Sequence, residues 1–162
     1  MSHNPTETPL INQNFGVYMK ISTKGRYAIQ FFVDLAEHYD NSFIALKDIA
    51  RRQNISKKYL EQIIPSLNRA DILQANRGTQ GGYRLSKNPS QYTVAEILKL
   101  TENNISPISS TNDNTLNEEE REDCTLFIWT GLQEVITKYL ESISIQDIVD
   151  RKNNLIGNDY II

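Results

Sequence analysis

Residues 48–85 read DIARRQNISKKYLEQIIPSLNRADILQANRGTQGGYRL. With Leu46 just ahead of the stretch, Ile49 and Ala50 mark one side of a short helix that ends near Gln53. Ser56 is a cap for a second helix, in which Tyr59, Leu60, Ile63, Ile64 and Leu67 form a packing face. Lys57, Lys58, Glu61, Gln62, Ser66 and Asn68 alternate with them and form an exposed polar face. Pro65 has no N–H to bond Glu61 and its ring crowds that carbonyl, so a kink or break is expected near Ile64, leaving about two turns. Residues 72–77 and 82–86 are short strand candidates around Gly78-Thr79-Gln80-Gly81, where glycines at both ends permit a sharp turn. Two helices with a tight connection followed by a two-stranded hairpin make a winged helix-turn-helix.

Outward from this unit the chain supplies supports. Upstream, Ser22 or Thr23 caps a helix whose Tyr27, Ala28, Phe31, Phe32, Leu35, Ala36 and Tyr39 recur at three- and four-residue spacing, the pattern of a core helix. Asp40 and Asn41 end it. Downstream, Thr93 and Glu96 form a T-x-x-E capping box for a helix through Val94, Ile97, Leu98 and Leu100. Residues 103–123 are polar and then acidic, with Glu118, Glu119, Glu120, Glu122 and Asp123 in near succession, and read as a flexible loop. From Cys124 a long helix carries Trp129, Leu132, Ile136, Tyr139 and Ile143 as a seam, with Phe127, Ile128, Val135 and Leu140 offset from it. A helix with two apolar faces in so small a protein is expected to bury one against a second copy. Ser144 caps a short final helix, and residues 153–162 are a tail. Residues 1–18 show no apolar period and read as disordered or as an appended leader, with Met19 a plausible second start. The expected organisation is a winged helix-turn-helix domain over 19–102, an acidic loop over 103–123, and a dimerisation helix plus terminal helix over 124–152. The fold class is mainly α, with a two-stranded wing and a long C-terminal dimerisation helix.

The chain has 162 residues, 39% of them hydrophobic, enough for one core and an accessory element. No run of about 18 apolar residues occurs and no signal peptide precedes the first helix, so the expected location is the cytoplasm, with no membrane role. Cys124 is the single cysteine, which excludes an internal disulfide and any all-thiolate metal site from this chain. Lys and Arg outnumber Asp and Glu by 12 to 6 over residues 19–90, whereas over 91–162 the acids lead 13 to 5. A basic half suits a polyanion. There is no Gly-x-Ser-x-Gly, phosphate-binding loop or His-Glu-x-x-His, and no enzyme is expected. The acidic run reads as solvated, His3 and His38 as isolated surface or packing residues, and no metal site is expected.

The exposed face of the second helix has the residue types that read a duplex. Lys57 and Lys58 suit phosphates or guanine acceptors, Gln62 suits adenine, Glu61 can accept from a cytosine amino group, and Tyr59 can pack or reach a phosphate. Arg77 and Arg84 flank the glycine-rich tip, and Arg26, Lys24 and Lys20 extend the basic surface. Taken singly, such a helix face is also what an ordinary solvated helix presents, and the glycines are what a plain hairpin needs. The combination points to double-stranded DNA.

The segments MKISTKGRYA (19–28), ISKKYLEQ (55–62), RGTQGGY (77–83) and SIQDI (144–148) resemble those of the IscR, NsrR and CymR (Rrf-two) family of bacterial winged-helix regulators. The similarity runs over about 19–149. It implies a homodimeric transcription factor, usually a repressor, whose long helix crosses to the other subunit. By that similarity Ser22, Lys24, Arg26 and Tyr27, then Ser56, Lys57, Lys58, Tyr59, Glu61 and Gln62, then Arg77, Gly78, Gly81, Gly82 and Tyr83 lie in the segments that contact DNA, and Glu61 helps set sequence preference. The dimer contact would involve Trp129, Leu132, Ile136, Tyr139 and Ile143.

Cluster-binding members carry three cysteines before the long helix, whereas this chain has Cys124 alone, where the last of the three falls. The Asn, Asp, Glu, Ser and Thr of the preceding loop are poor substitutes for soft ligands. The chain is therefore similar to the cluster-free, CymR-like branch, linked to sulfur or cysteine metabolism and responding in some members through a partner enzyme or a lone thiol. Cys124 keeps three readings here: an inert cysteine, a redox-sensing thiol, or a cluster ligand. The expectation is a DNA-binding regulator without an iron–sulfur cofactor, responsive to an effector protein, a small molecule, or redox or sulfur status. The rival readings are a winged-helix protein-interaction module and an iron–sulfur sensor with non-cysteine ligands.

Overall fold

The computed structural model describes residues 21–40, 42–68, 70–78, 81–102 and 124–158, with side chains as far as residue 155. The leader (1–18), Lys20, the acidic loop (103–123) and residues 159–162 lie outside the described residues. In chain order the elements are α1 (Thr23–Glu37), α2 (Leu46–Gln53), α3 (Lys57–Asn68), β1 (Leu73–Asn76), β2 (Gly82–Leu85), α4 (Val94–Thr101), α5 (Leu126–Glu141) and α6 (Ile145–Asn158).

Helix α1 is the axis of the core. Ser22 caps it, its Oγ accepting from Gly25 N–H at 3.1 Å. Every residue from Phe31 to Ala36 is buried, because α2, α3, α4, α6 and β2 all pack on it. Phe31 and Phe32 are fully enclosed with Ile49, Leu60, Ile63, Leu67, Tyr92, Ile97 and Ile145. Asn54 ends α2 in the left-handed region at φ 52°, its N–H returning to Ala50 O, and this makes the tight bend into α3. Ser56 begins α3 through its backbone carbonyl, which accepts from Tyr59 and Leu60 N–H at 3.0 and 3.1 Å.

Of the kink or break expected near Ile64, a break is absent: α3 continues through Pro65 to Asn68. Pro65 is exposed, so the Glu61 carbonyl it deprives faces water, and Ser66 Oγ bonds Ile63 O at 2.7 Å on the next turn. The polar face of α3 therefore runs about three turns rather than two.

The antiparallel hairpin pairs Leu73 with Leu85 and Asn76 with Gly82, each strand slightly shorter than the sequence pattern suggests. Ile44 adds a bridge to β2, exchanging both backbone bonds with Tyr83 at 2.9 Å. Tyr92 fastens the base of the hairpin to the core. Its hydroxyl donates to Ile72 O at 2.8 Å and accepts from Ser86 and Lys87 N–H, both at 2.9 Å. Burial of the ring raises the phenol above its ordinary pKa.

Only half of the expected capping box at α4 forms. Thr93 Oγ1 accepts from Glu96 N–H at 3.1 Å, but the Glu96 carboxylate turns to Lys87 Nζ at 3.0 Å. The box forms instead at α6, where Ser144 Oγ accepts from Asp147 N–H and Asp147 Oδ2 accepts from Ser144 N–H. Helix α6 runs to Asn158, through residues expected to be tail. Among the described residues no helix is long and apolar enough to cross a membrane.

Candidate nucleic-acid interface

The residues singled out from sequence lie on three elements: the exposed face of α3, the amino end of α1 and the wing. Lys57, Lys58, Glu61, Gln62, Pro65 and Asn68 are all exposed and share one face, because Leu60, Ile63, Ile64 and Leu67 opposite them are buried. Lys57 Nζ lies 3.3 Å from Glu61 Oε1, an i,i+4 ion pair on the surface. Ser56 is exposed at the start of this face.

Helix α1 meets α3 through two tyrosines. Tyr27 and Tyr59 are half-buried and stack edge to face with ring centroids 5.3 Å apart, so both serve packing at this junction. The same end of α1 carries Ser22, half-exposed Lys24 and exposed Arg26.

The wing carries the remaining residues singled out from sequence. Arg77 and Gly78 are exposed at its tip, and Gly78 sits at φ 114°, a conformation that favours glycine. Gly81 closes the turn by donating to Gly78 O at 3.0 Å. Gly82 is buried where a side chain would collide with the Ile44 carbonyl, and Tyr83 packs on Phe31 with centroids 6.0 Å apart. The wing arginine Arg84 bonds Gln74 Oε1 at 2.8 Å and lies 4.5 Å over the Phe43 ring.

One polar device behind the interface is not foreseen from sequence. Asp34, fully buried among the phenylalanines of α1, accepts from Arg52 Nη2 at 2.6 Å, Arg52 Nε at 3.0 Å and Gln53 Nε2 at 2.9 Å. This bond with Asp34 raises the Arg52 pKa. It clamps α2, and with it the bend into α3, against α1. A single acid inside an apolar stripe is the one signal of it in the linear chain.

The seam residues of α5 fall on two different stripes. Ile128, Leu132, Val135 and Tyr139 are exposed along one line, with Phe127 beside them, whereas Trp129, Ile136 and Leu140 are half-buried on another, and Ile143, expected on the seam, lies past the end of α5, where its carbonyl accepts from Val94 N–H. No described residue of α5 is fully buried. Cys124 is exposed just before this helix. Among the described residues no group of three His, Cys, Asp or Glu is placed to hold a metal ion, and one thiol does not fit the donor set of a cysteine-ligated cluster.

Residues 21–151 match the family described as Rrf2, iron-dependent transcriptional regulator. The chain is 32% identical over 130 residues to the transcriptional regulator CymR of Bacillus subtilis, covering 80% of this chain and 89% of that protein. It is 33% identical over 144 residues to IscR of Photorhabdus laumondii, covering 85% and 83%. Among solved structures it superposes on CymR, described as the global cysteine regulator of B. subtilis, with a TM-score of 0.66 over 82% of this chain and 97% of that one, at 32% identity.

Proposed function

This chain belongs to the Rrf2 family of winged-helix transcription regulators, in its CymR-like branch, and on that premise we propose that it acts as a homodimeric repressor. It is a DNA-binding regulator and not an enzyme. As a dimer it reads a pseudo-palindromic operator with two copies of α3 in successive major grooves, and repression follows from occupying a promoter. The observation that carries this reading is the exposed face of α3, with Lys57, Lys58, Glu61 and Gln62 beside the amino end of α1 that Tyr27 joins to Tyr59. Glu61 and Gln62 are the base readers; Lys57, Lys58, Arg26 and Arg77 supply phosphate contacts. The exposed stripe on α5 supports a second copy as the partner of that helix.

The regulator works in the cytoplasm without an iron–sulfur cluster, since Cys124 is its only thiol. The likeness to CymR supports redox or sulfur and cysteine status as the signal, delivered by an effector protein, by a small molecule, or at exposed Cys124.

A mobility-shift titration at two salt concentrations tests this function. The purified chain is expected to bind duplex with a steep salt dependence. Lys57→Ala with Lys58→Ala is expected to weaken every duplex and to lower the salt slope by about 1 for each phosphate no longer neutralised. Salt-independent or absent binding would identify a protein-docking module instead. Visible absorption after anaerobic purification tests the cofactor, and a coloured, iron-loaded protein that binds only in that form would overturn the cluster-free reading.

A further inference from the structure

We propose that Glu102 limits the affinity of this interface by holding the phosphate-facing end of α1, an inference that rests on the DNA-binding reading above. Ser22 Oγ donates to Glu102 Oε1 at 2.6 Å, while the same Oγ accepts from Gly25 N–H at 3.1 Å. Glu102 is held in place by its own backbone: it terminates α4 with its N–H bonded to Leu98 O at 2.8 Å. Gly25 is buried, and a Cβ there would collide with the Glu102 carboxylate and lie 2.9 Å from Leu98 Cδ2. The missing side chain at position 25 is therefore what lets this carboxylate settle over the first turn of α1.

The first turn of a helix offers N–H groups without intrahelical partners and the positive end of the backbone dipole, and so favours an anion. Here the anion is already supplied by the protein. Through Tyr27 and Tyr59 this same end abuts the reading helix, so a duplex seated on α3 brings its phosphates towards Ser22. Phosphate and Glu102 then compete for the Ser22 hydroxyl, and the carboxylate repels the phosphate as well. Glu102 touches no base in this arrangement. It sets affinity, acting on every sequence alike, whereas Glu61 acts on sequence.

A purely structural Glu102, fastening α4 to α1, gives the opposite result on substitution, because loosening α1 weakens binding. The test uses the full chain with Glu102→Gln and Glu102→Asp, anisotropy titrations with random-sequence duplexes at low and high salt, and thermal unfolding in parallel. Glu102→Gln keeps the shape and removes the charge, and is expected to bind all duplexes about two- to fivefold tighter at low salt, with the gain fading at high salt. Glu102→Asp keeps the charge but withdraws from Ser22, and is expected to gain less. Equal or weaker binding by a folded Glu102→Gln overturns the inference. Should that variant unfold, Glu102→Asp is read in its place, and equal or weaker binding again overturns it. A wild-type chain that binds no duplex at low salt overturns the DNA-binding reading and this inference together; wild-type binding without the gain overturns this inference alone.

Discussion

Lys57 Nζ and Glu61 Oε1 stand 3.3 Å apart on the exposed face of α3, so the proposed phosphate contact and the proposed base reader occupy each other in the free protein. On that proposal, engaging DNA exchanges this pair for contacts to the duplex. A surface pair of this kind is worth about 0.3–0.5 kcal/mol, so the exchange costs little. Glu61→Ala releases Lys57 and is expected to tighten binding to unrelated duplexes by about twofold while narrowing the spread between preferred and unrelated sequences. Competition titrations with two duplexes check this, and an unchanged preference would remove Glu61 as a reader.

Val135 lies in the middle of the exposed α5 stripe with 65% of its surface open to solvent. Val135→Asp costs the isolated subunit little, whereas at the centre of a dimer contact an unpaired carboxylate is prohibitive. Sedimentation is expected to show monomers, accompanied by a large loss of operator affinity with the helical circular dichroism retained. A dimeric Val135→Asp protein would move the contact away from this stripe.

The clamp between Asp34 and Arg52 holds the helix-turn-helix against α1 from inside the core. Asp34→Asn keeps the volume but leaves Arg52 without its counter-ion, and is expected to cost about 3 kcal/mol, the lower end for a broken buried pair because Arg52 is partly exposed. Urea unfolding measures it; a loss below about 1 kcal/mol would show that water replaces the carboxylate at no consequence.

Tyr92 couples stability to alkaline pH. Its folded pKa lies above the ordinary value of about 10, so the neutral phenol stabilises the fold fully below about pH 10, and that contribution is lost as pH rises through the folded pKa. Tyr92→Phe strands Ile72 O and the Ser86 and Lys87 N–H groups and is expected to cost about 2 kcal/mol at neutral pH. Thermal midpoints of the two proteins should converge above pH 10. A gap that stays constant with pH would separate Tyr92 from the alkaline transition.

Local pattern is enough for the reading unit. The three- and four-residue spacing of Tyr59, Leu60, Ile63, Ile64 and Leu67 places one face of α3 in the core, and the opposite face follows with no further information. The same holds for the glycine turn of the wing, and for the α1 cap local pattern narrows the choice to Ser22 or Thr23, of which the folded chain uses Ser22. Pro65 misleads a linear reading because proline costs a helix one hydrogen bond, and whether the orphaned carbonyl meets water or core depends on which way that residue faces.

The seam of α5 marks the boundary between the two kinds of knowledge. Its apolar residues form two stripes at helical spacing, and periodicity cannot say which one a neighbour covers; in the folded chain Trp129 and Ile136 are half-buried while Leu132, Val135 and Tyr139 stay open. Asp34 with Arg52, Tyr92 with Ile72, and Ser22 with Glu102 are likewise invisible in a linear reading, since each joins residues on different elements. Periodicity and turn chemistry are short-range and are written in neighbouring residues, so they determine the winged helix and its reading face. The partners of buried polar groups exist only once helices pack, and those partners hold that face in place.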